Sequence, residues 1–265
     1  MSDIILEAQA LRKTFGGLVA VRDVSLQVQR GHLHSIIGPN GAGKTTFFNL
    51  LSGNLRPTSG KLFYKGRDIT RMPLHRRAHI GIGRSFQITN IFPSLSVYEN
   101  VRLAAQAMDS ASMVTFVNYQ RFGSYEAKAL DAIDLVGLRG RERVLGSALA
   151  HGEKRKLELA MIVAADPELM LLDEPTAGMA TEQVPELIGT IDEIRQQGAR
   201  TIMLVEHNMS VVMSVSDRIS VMHNGALLAE GTPAEIAQNE NVQNAYLGEF
   251  YGDLMQDEVT KGGMA

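Results

Sequence analysis

The sequence predicts an α/β fold built on a mainly parallel sheet flanked by helices. Three observations carry that prediction. The apolar run Leu33 to Ile37 leads into a glycine-rich turn and then a helix-compatible segment from Lys44 through Leu51. Leu169-Met170-Leu171-Leu172 is a short continuous apolar run, as a parallel strand buried on both faces requires, and Thr201 to Val205 reads as the next one. Between them Val184, Leu187, Ile188, Ile191 and Ile194 fall on one face at helical spacing, so strand and helix alternate.

The elements follow in order. Ile4 to Leu6 is the first candidate strand, and Val24, Leu26 and Val28 then alternate with Ser25, Gln27 and Gln29, the period of a half-buried strand. With Lys61 to Tyr64, the first third reads as strands gathered around the glycine-rich turn. From Val97 to Leu138 the pattern is helical, with Val101, Leu103, Ala104, Leu130, Ile133 and Val136 as its expected buried positions. No clear strand appears there, so this stretch reads as an inserted helical lobe. Ile219–Met222 and Ala226–Ala229 flank His223-Asn224-Gly225, and Asn-Gly is a strong hairpin signal. Thr232-Pro233-Ala234-Glu235 combines an N-cap threonine, a proline at the first helical position and a capping-box glutamate, which starts a final helix. The tail after Gly248 is expected to be loosely held.

Composition narrows the class. A chain of 265 residues, 45% apolar and 21% charged, suits one large globular core, and its net charge of −3 gives no reason to expect a nucleic-acid partner. With no cysteine, disulfides, zinc-thiolate sites and thiol catalysis are excluded. The N-terminus lacks a signal-like segment, and no run approaches the ~20 apolar residues that cross a bilayer, so any membrane role is expected to come through a partner. Arg71, His75, Arg76, Arg77, His79 and Arg84 form a basic stretch with little aromatic interleaving, read as a solvated helix face or a surface near lipid headgroups.

Gly38-Pro39-Asn40-Gly41-Ala42-Gly43-Lys44-Thr45 fits the phosphate-loop pattern G-x-x-x-x-G-K-[ST] at every fixed position. The pattern names a ligand class, a nucleoside triphosphate with magnesium. Successive backbone N–H groups and a helix N-terminus must converge on the phosphates, and the strand–loop–helix context allows it. Lys44 can reach the β- and γ-phosphates, and the Thr45 hydroxyl can take one magnesium position.

Leu171-Leu172-Asp173-Glu174 places two carboxylates just past a buried strand, where ligands of open α/β sheets sit. Asp173 can hold magnesium directly or through water. Glu174 is placed to polarise a water for attack on the γ-phosphate.

With these motifs the chain resembles the ATP-binding subunit of an ABC transporter from about Leu6 to Leu247. That resemblance implies a P-loop NTPase core of the RecA-like type, with an antiparallel β subdomain and an inserted α-helical subdomain at about 88–165. A single ATP-binding domain would span residues 1–250, with 251–265 as a tail. ATP and Mg2+ are the implied cofactors, and Thr46 joins the phosphate-binding residues. Phe15 matches the aromatic that stacks on adenine. Gln87, in Arg84-Ser85-Phe86-Gln87, matches the loop glutamine that contacts magnesium and the attacking water. His207, just after the strand Thr201–Val205, matches the switch histidine at the γ-phosphate.

Leu149-Ala150-His151-Gly152-Glu153 aligns with the family signature, usually Leu-Ser-Gly-Gly-Gln, whose helix faces the ATP of the opposite subunit. Here Ala150 lacks the serine hydroxyl and His151 replaces a glycine, while Gly152 keeps the close-approach position. In Thr176-Ala177-Gly178-Met179-Ala180, Ala180 replaces an aspartate that communicates across the dimer. Such relaxed motifs resemble importers of branched-chain and other hydrophobic amino acids, amides and urea. The resemblance implies a second ATP-binding subunit (identical or different), two transmembrane permease subunits and, indirectly, an extracytoplasmic solute-binding protein. It places the chain at the cytoplasmic face of the membrane, peripheral through the permeases. The rival readings are a soluble ABC ATPase of translation or DNA maintenance, and a regulatory nucleotide module with weak hydrolysis.

Overall fold

Three strands, β3 (Leu33–Ile37), β7 (Leu169–Asp173) and β8 (Thr201–Val205), are buried at every residue and form the centre of a six-stranded sheet. The computed structural model describes residues 3–85, 91–108, 122–198 and 200–246. The sheet order is β10-β9-β3-β8-β7-β6, where β6 is Ile82–Arg84, β9 Arg218–His223 and β10 Ala226–Gly231. All its neighbours pair in parallel except the β9–β10 hairpin. At that turn Asn224 and Gly225 both have positive φ, +50° and +79°, the backbone a tight Asn-Gly hairpin demands.

Alternate side chains of the central strands feed two cores. Met170, Leu172, Ile202 and Leu204 pack with the helices on one face, while Leu169, Leu171, Met203 and Val205 pack with the first helix and a second sheet on the other. Each such side chain contributes about 1.5–3 kcal/mol when fully buried. The second sheet is antiparallel, of order β2-β1-β4-β5, with β1 Ile4–Phe15, β2 Leu18–Gln29, β4 Ser59–Tyr64 and β5 Arg67–Asp68. β1 and β2 run well beyond the short segments legible in the sequence, because strand pairing carries them through polar residues whose alternation is weak.

The helices are α1 (Lys44–Ser52), α2 (Leu74–His79), α3 (Val97–Ala107), α4 (Phe122–Leu135), α5 (His151–Ala164), α6 (Val184–Gly198), α7 (Met209–Val215) and α8 (Pro233–Ala237). Between β6 and β7, α3, α4 and α5 pack on one another, and no strand occurs among the described residues there. Ser96 caps α3 in a reciprocal box with Glu99, and Thr232 does the same for α8 with Glu235. Val101, Ile133 and Val136 are buried as expected, but Leu130 is 49% exposed. The inner face of this part of α4 runs through Ala129, Ala132 and Ile133, and Leu130 lies about 100° off it. Leu103 and Ala104 are only partly buried.

Two of the basic residues expected to be solvated are not. Arg77 is 1% exposed, because its guanidinium donates to the carbonyls of Leu50, Leu51, Ile69 and Met72. Arg84 turns inward to Asp173 and to the Ser52 hydroxyl. Arg71, His75, Arg76 and His79 are exposed.

Candidate active site

The glycine-rich turn follows β3 and ends at Gly43, which caps α1 with φ of +93°. A Cβ at Gly43 would lie 2.4 Å from the Ala20 carbonyl oxygen, and one at Gly38 would lie 2.1 Å from that of Met222. Both positions therefore exclude any side chain, since neighbouring strands press against the turn. The first α-helical bond runs from the Phe47 N–H to the Gly43 oxygen at 2.8 Å. The N–H groups of Lys44, Thr45 and Thr46 precede it, and Gly43 has no side chain to cap them. They form an anion seat at the start of a helix. Lys44 is buried, its Nζ donating to the Gly38 and Pro39 carbonyls.

Asn40 to Thr46 line a cleft together with Glu174 and His207. Leu18, Val19, Ala20, Arg22, Asn224 and Gly225 complete its walls. Glu174 follows the tip of β7 with φ of +48°, a costly conformation for a residue with a Cβ. The Glu174 N–H is fixed by the Val205 oxygen at 2.8 Å, and its Oε1 lies 2.7 Å from His207 Nε2. That pair sets a carboxylate and an imidazole side by side in the cleft that the glycine-rich turn lines. Asp173, one residue earlier, is 1% exposed. Burial pushes its carboxyl pKa up, and the Arg84 guanidinium opposes that rise. Its Oδ1 is buried with no hydrogen-bond partner among the described residues. An orphaned carboxylate oxygen one residue before Glu174, which lines the cleft, fits a divalent cation or its water. Magnesium commonly takes only one or two protein ligands beside phosphates, so the lack of a larger acidic cluster among the described residues does not count against it.

The ABC transporter family profile matches residues 21–177, more than half of the sequence. The chain belongs to the ABC transporter family. The profile of branched-chain amino acid ATP-binding cassette transporters matches residues 226–251 as well. This ABC cassette is 39% identical over 254 residues to LivG of Salmonella typhimurium, a high-affinity branched-chain amino acid transport ATP-binding protein, covering 94% of this chain and 100% of the relative. It is 38% identical over 257 residues to BraF of Pseudomonas aeruginosa, described in the same terms, with 94% and 100% covered. In structure it resembles the ADP conformation of the ABC transporter cassette MJ1267, with a TM-score of 0.80, 25% identity, and 93% and 100% covered.

The remaining expected residues are spread over the cassette. Phe15 stands at the β1–β2 hairpin tip, 47% exposed, with the Lys13 ammonium 5.0 Å from its ring centre. The neighbouring wall of the cleft comes from Leu18, Val19 and Ala20. Gln87 lies outside the described residues. None of Leu149 to Glu153 lines the cleft, so the signature segment and the phosphate loop of one chain do not meet there. Ala150 caps α5 with only half a box: the Glu153 carboxylate accepts from the Ala150 N–H at 3.0 Å, and no hydroxyl returns the bond. His151 lies against Gly178, where an added Cβ would come 2.6 Å from its Nε2. The two altered segments thus touch within one chain.

Sequence reading missed Glu206 and the inward role of Arg84. Glu206 is buried, and accepts from the Thr176 N–H and hydroxyl and from the His207 N–H. Its only signal was a carboxylate directly before the histidine. Arg84 carries no local signal, since it closes a basic stretch and its partners Ser52 and Asp173 lie far off in sequence.

Proposed function

We propose that this ABC cassette binds and hydrolyses ATP to drive import of a solute, of the branched-chain or other hydrophobic amino acid, amide or urea class. The observation that carries the hydrolytic part is the 2.7 Å contact between Glu174 and His207 in the cleft lined by the phosphate loop. The loop N–H groups and Lys44 hold the phosphates. Thr45 and Asp173, with Gln87, would hold magnesium, whose charge would offset the negative charge of the phosphates. Glu174 takes the proton of the attacking water, and His207 orients that water and the γ-phosphate edge. The same contact disfavours a purely regulatory role, since a non-hydrolysing module needs no poised base.

The importer class is supported by the identity with LivG and BraF and by the match at residues 226–251. On this reading the chain pairs head to tail with a second ATP-binding subunit, whose ATP meets Leu149 to Glu153 of this one. That explains why the signature helix starts away from its own cleft. No described helix is long and apolar enough to cross a membrane, so two permease subunits would supply the path. The chain then sits peripherally at the cytoplasmic face, with a solute-binding protein on the other side.

The test is phosphate release by the assembled complex. Glu174→Gln should lower turnover by about 100-fold or more while ATP binding persists. Undiminished turnover in that variant would remove Glu174 as the base.

A further inference from the structure

Arg84 closes β6, the sheet's edge strand, beside the tip of β7. Its side chain is 7% exposed and that of Asp173 is 1%. Arg84 Nη2 lies 3.4 Å from Asp173 Oδ2, long for a hydrogen bond, so charge attraction dominates the contact. Nη1 donates to the Ser52 hydroxyl in the last turn of α1, and the guanidinium stands 5.6 Å from the Phe48 ring centre. One side chain thus spans the far end of the phosphate-loop helix and the Asp173 carboxylate. Next to it, Ser85 Oγ accepts from the Asp173 N–H at 2.9 Å. The same two residues line an apolar groove with Leu74, Ala78, Met161 and Ile162.

We propose that Arg84 is a positioning residue for the metal carboxylate: it balances and aims Asp173 in the metal-free protein, and it sets how much magnesium the site requires. The inference rests on the reading of Asp173 as a magnesium ligand. A buried carboxylate is costly without a countercharge, and a guanidinium supplies one that does not depend on protonation. The same fixed positive charge opposes a dication arriving at the other carboxylate oxygen. Magnesium therefore binds against Arg84.

The experiment titrates magnesium into the full-length chain at fixed ATP. Nucleotide retention is followed by equilibrium dialysis and the thermal midpoint by calorimetry, neither of which needs turnover. Arg84→Gln and Arg84→Met should lower the half-saturating magnesium concentration by about threefold or more. Arg84→Lys, which keeps the charge, should stay within about twofold of the parent. If Arg84→Met does not fold, Arg84→Gln retains an N–H for Ser52 and carries the comparison. An unchanged or raised magnesium midpoint in the neutral variants, or a lysine variant that shifts as they do, overturns the proposal. A parent chain with no magnesium-dependent retention at all would overturn the underlying metal-site reading instead.

Discussion

Glu206 holds Thr176 through a single carboxylate oxygen, which accepts from the Thr176 N–H at 2.9 Å and from its hydroxyl at 2.6 Å. The other oxygen accepts from the His207 N–H at 3.1 Å. One buried side chain therefore ties the loop after Glu174 to the loop that carries His207. Each of these partners among the described residues is a donor. Glu206→Gln would turn one acceptor into an amide donor facing these groups, at a cost of about 1–3 kcal/mol. Urea unfolding reads that loss, and kcat should fall more than KM changes as the Glu174–His207 contact loosens. An unaltered urea midpoint with unaltered kcat would show that the two loops are held independently.

Arg77 makes a second buried anchor, at the opposite end of α1 from the anion seat. Its guanidinium donates to the Leu50 carbonyl at 2.9 Å, which the Gly53 N–H also reaches, and to the Leu51 carbonyl at 2.6 Å, which lies past the last intrahelical donor. Arg77→Met would leave the Leu51 and Met72 oxygens without this donor, while those of Leu50 and Ile69 keep the Gly53 and Met72 N–H groups, for a loss on the order of 3 kcal/mol. Gly53→Ala should act in the same direction, because Gly53 has φ of +85° and its Cβ would meet Arg77 Nε at 2.6 Å. Chemical denaturation of both variants checks this, and a loss well under 1 kcal/mol in each would contradict it.

His34 gives the fold an acid sensitivity. The ring is 1% exposed on β3, with Nε2 2.8 Å from the Ser220 hydroxyl. Burial first, then the Arg218 charge, pushes its pKa down to about 4. In the unfolded chain it titrates near 6.5, so between those values the unfolded state binds the extra proton. Stability from this residue is complete above about pH 6.5 and drains away as pH falls towards 4, by about 3 kcal/mol in all. Denaturant midpoints at pH 5 and pH 7.5 should differ less in His34→Gln than in the parent. Equal pH dependence in both would remove His34 as the cause.

Much of this was legible because the decisive signals are local. The phosphate loop is a fixed-spacing motif whose glycines are dictated by strands pressing at Gly38 and Gly43. β3, β7 and β8 announce themselves as continuous apolar runs because both faces are buried. The antiparallel sheet was read only in fragments, since half its residues face water and pairing partners lie far apart in sequence. Buried cations were misplaced for a similar reason. Arg77 and Arg84 look like surface charges until carbonyls and a carboxylate from other elements converge on them. Glu206 joins two loops separated by a strand and helix, a relation that no local pattern encodes.

The most direct test is calorimetric titration of the full-length chain with Mg-ATP, set against Lys44→Ala. Saturable binding by the parent, weakened about tenfold or more in the variant, is the expected result. No saturable binding by the parent, or equal affinity in both chains, would contradict the phosphate-loop site on which the proposed hydrolysis depends.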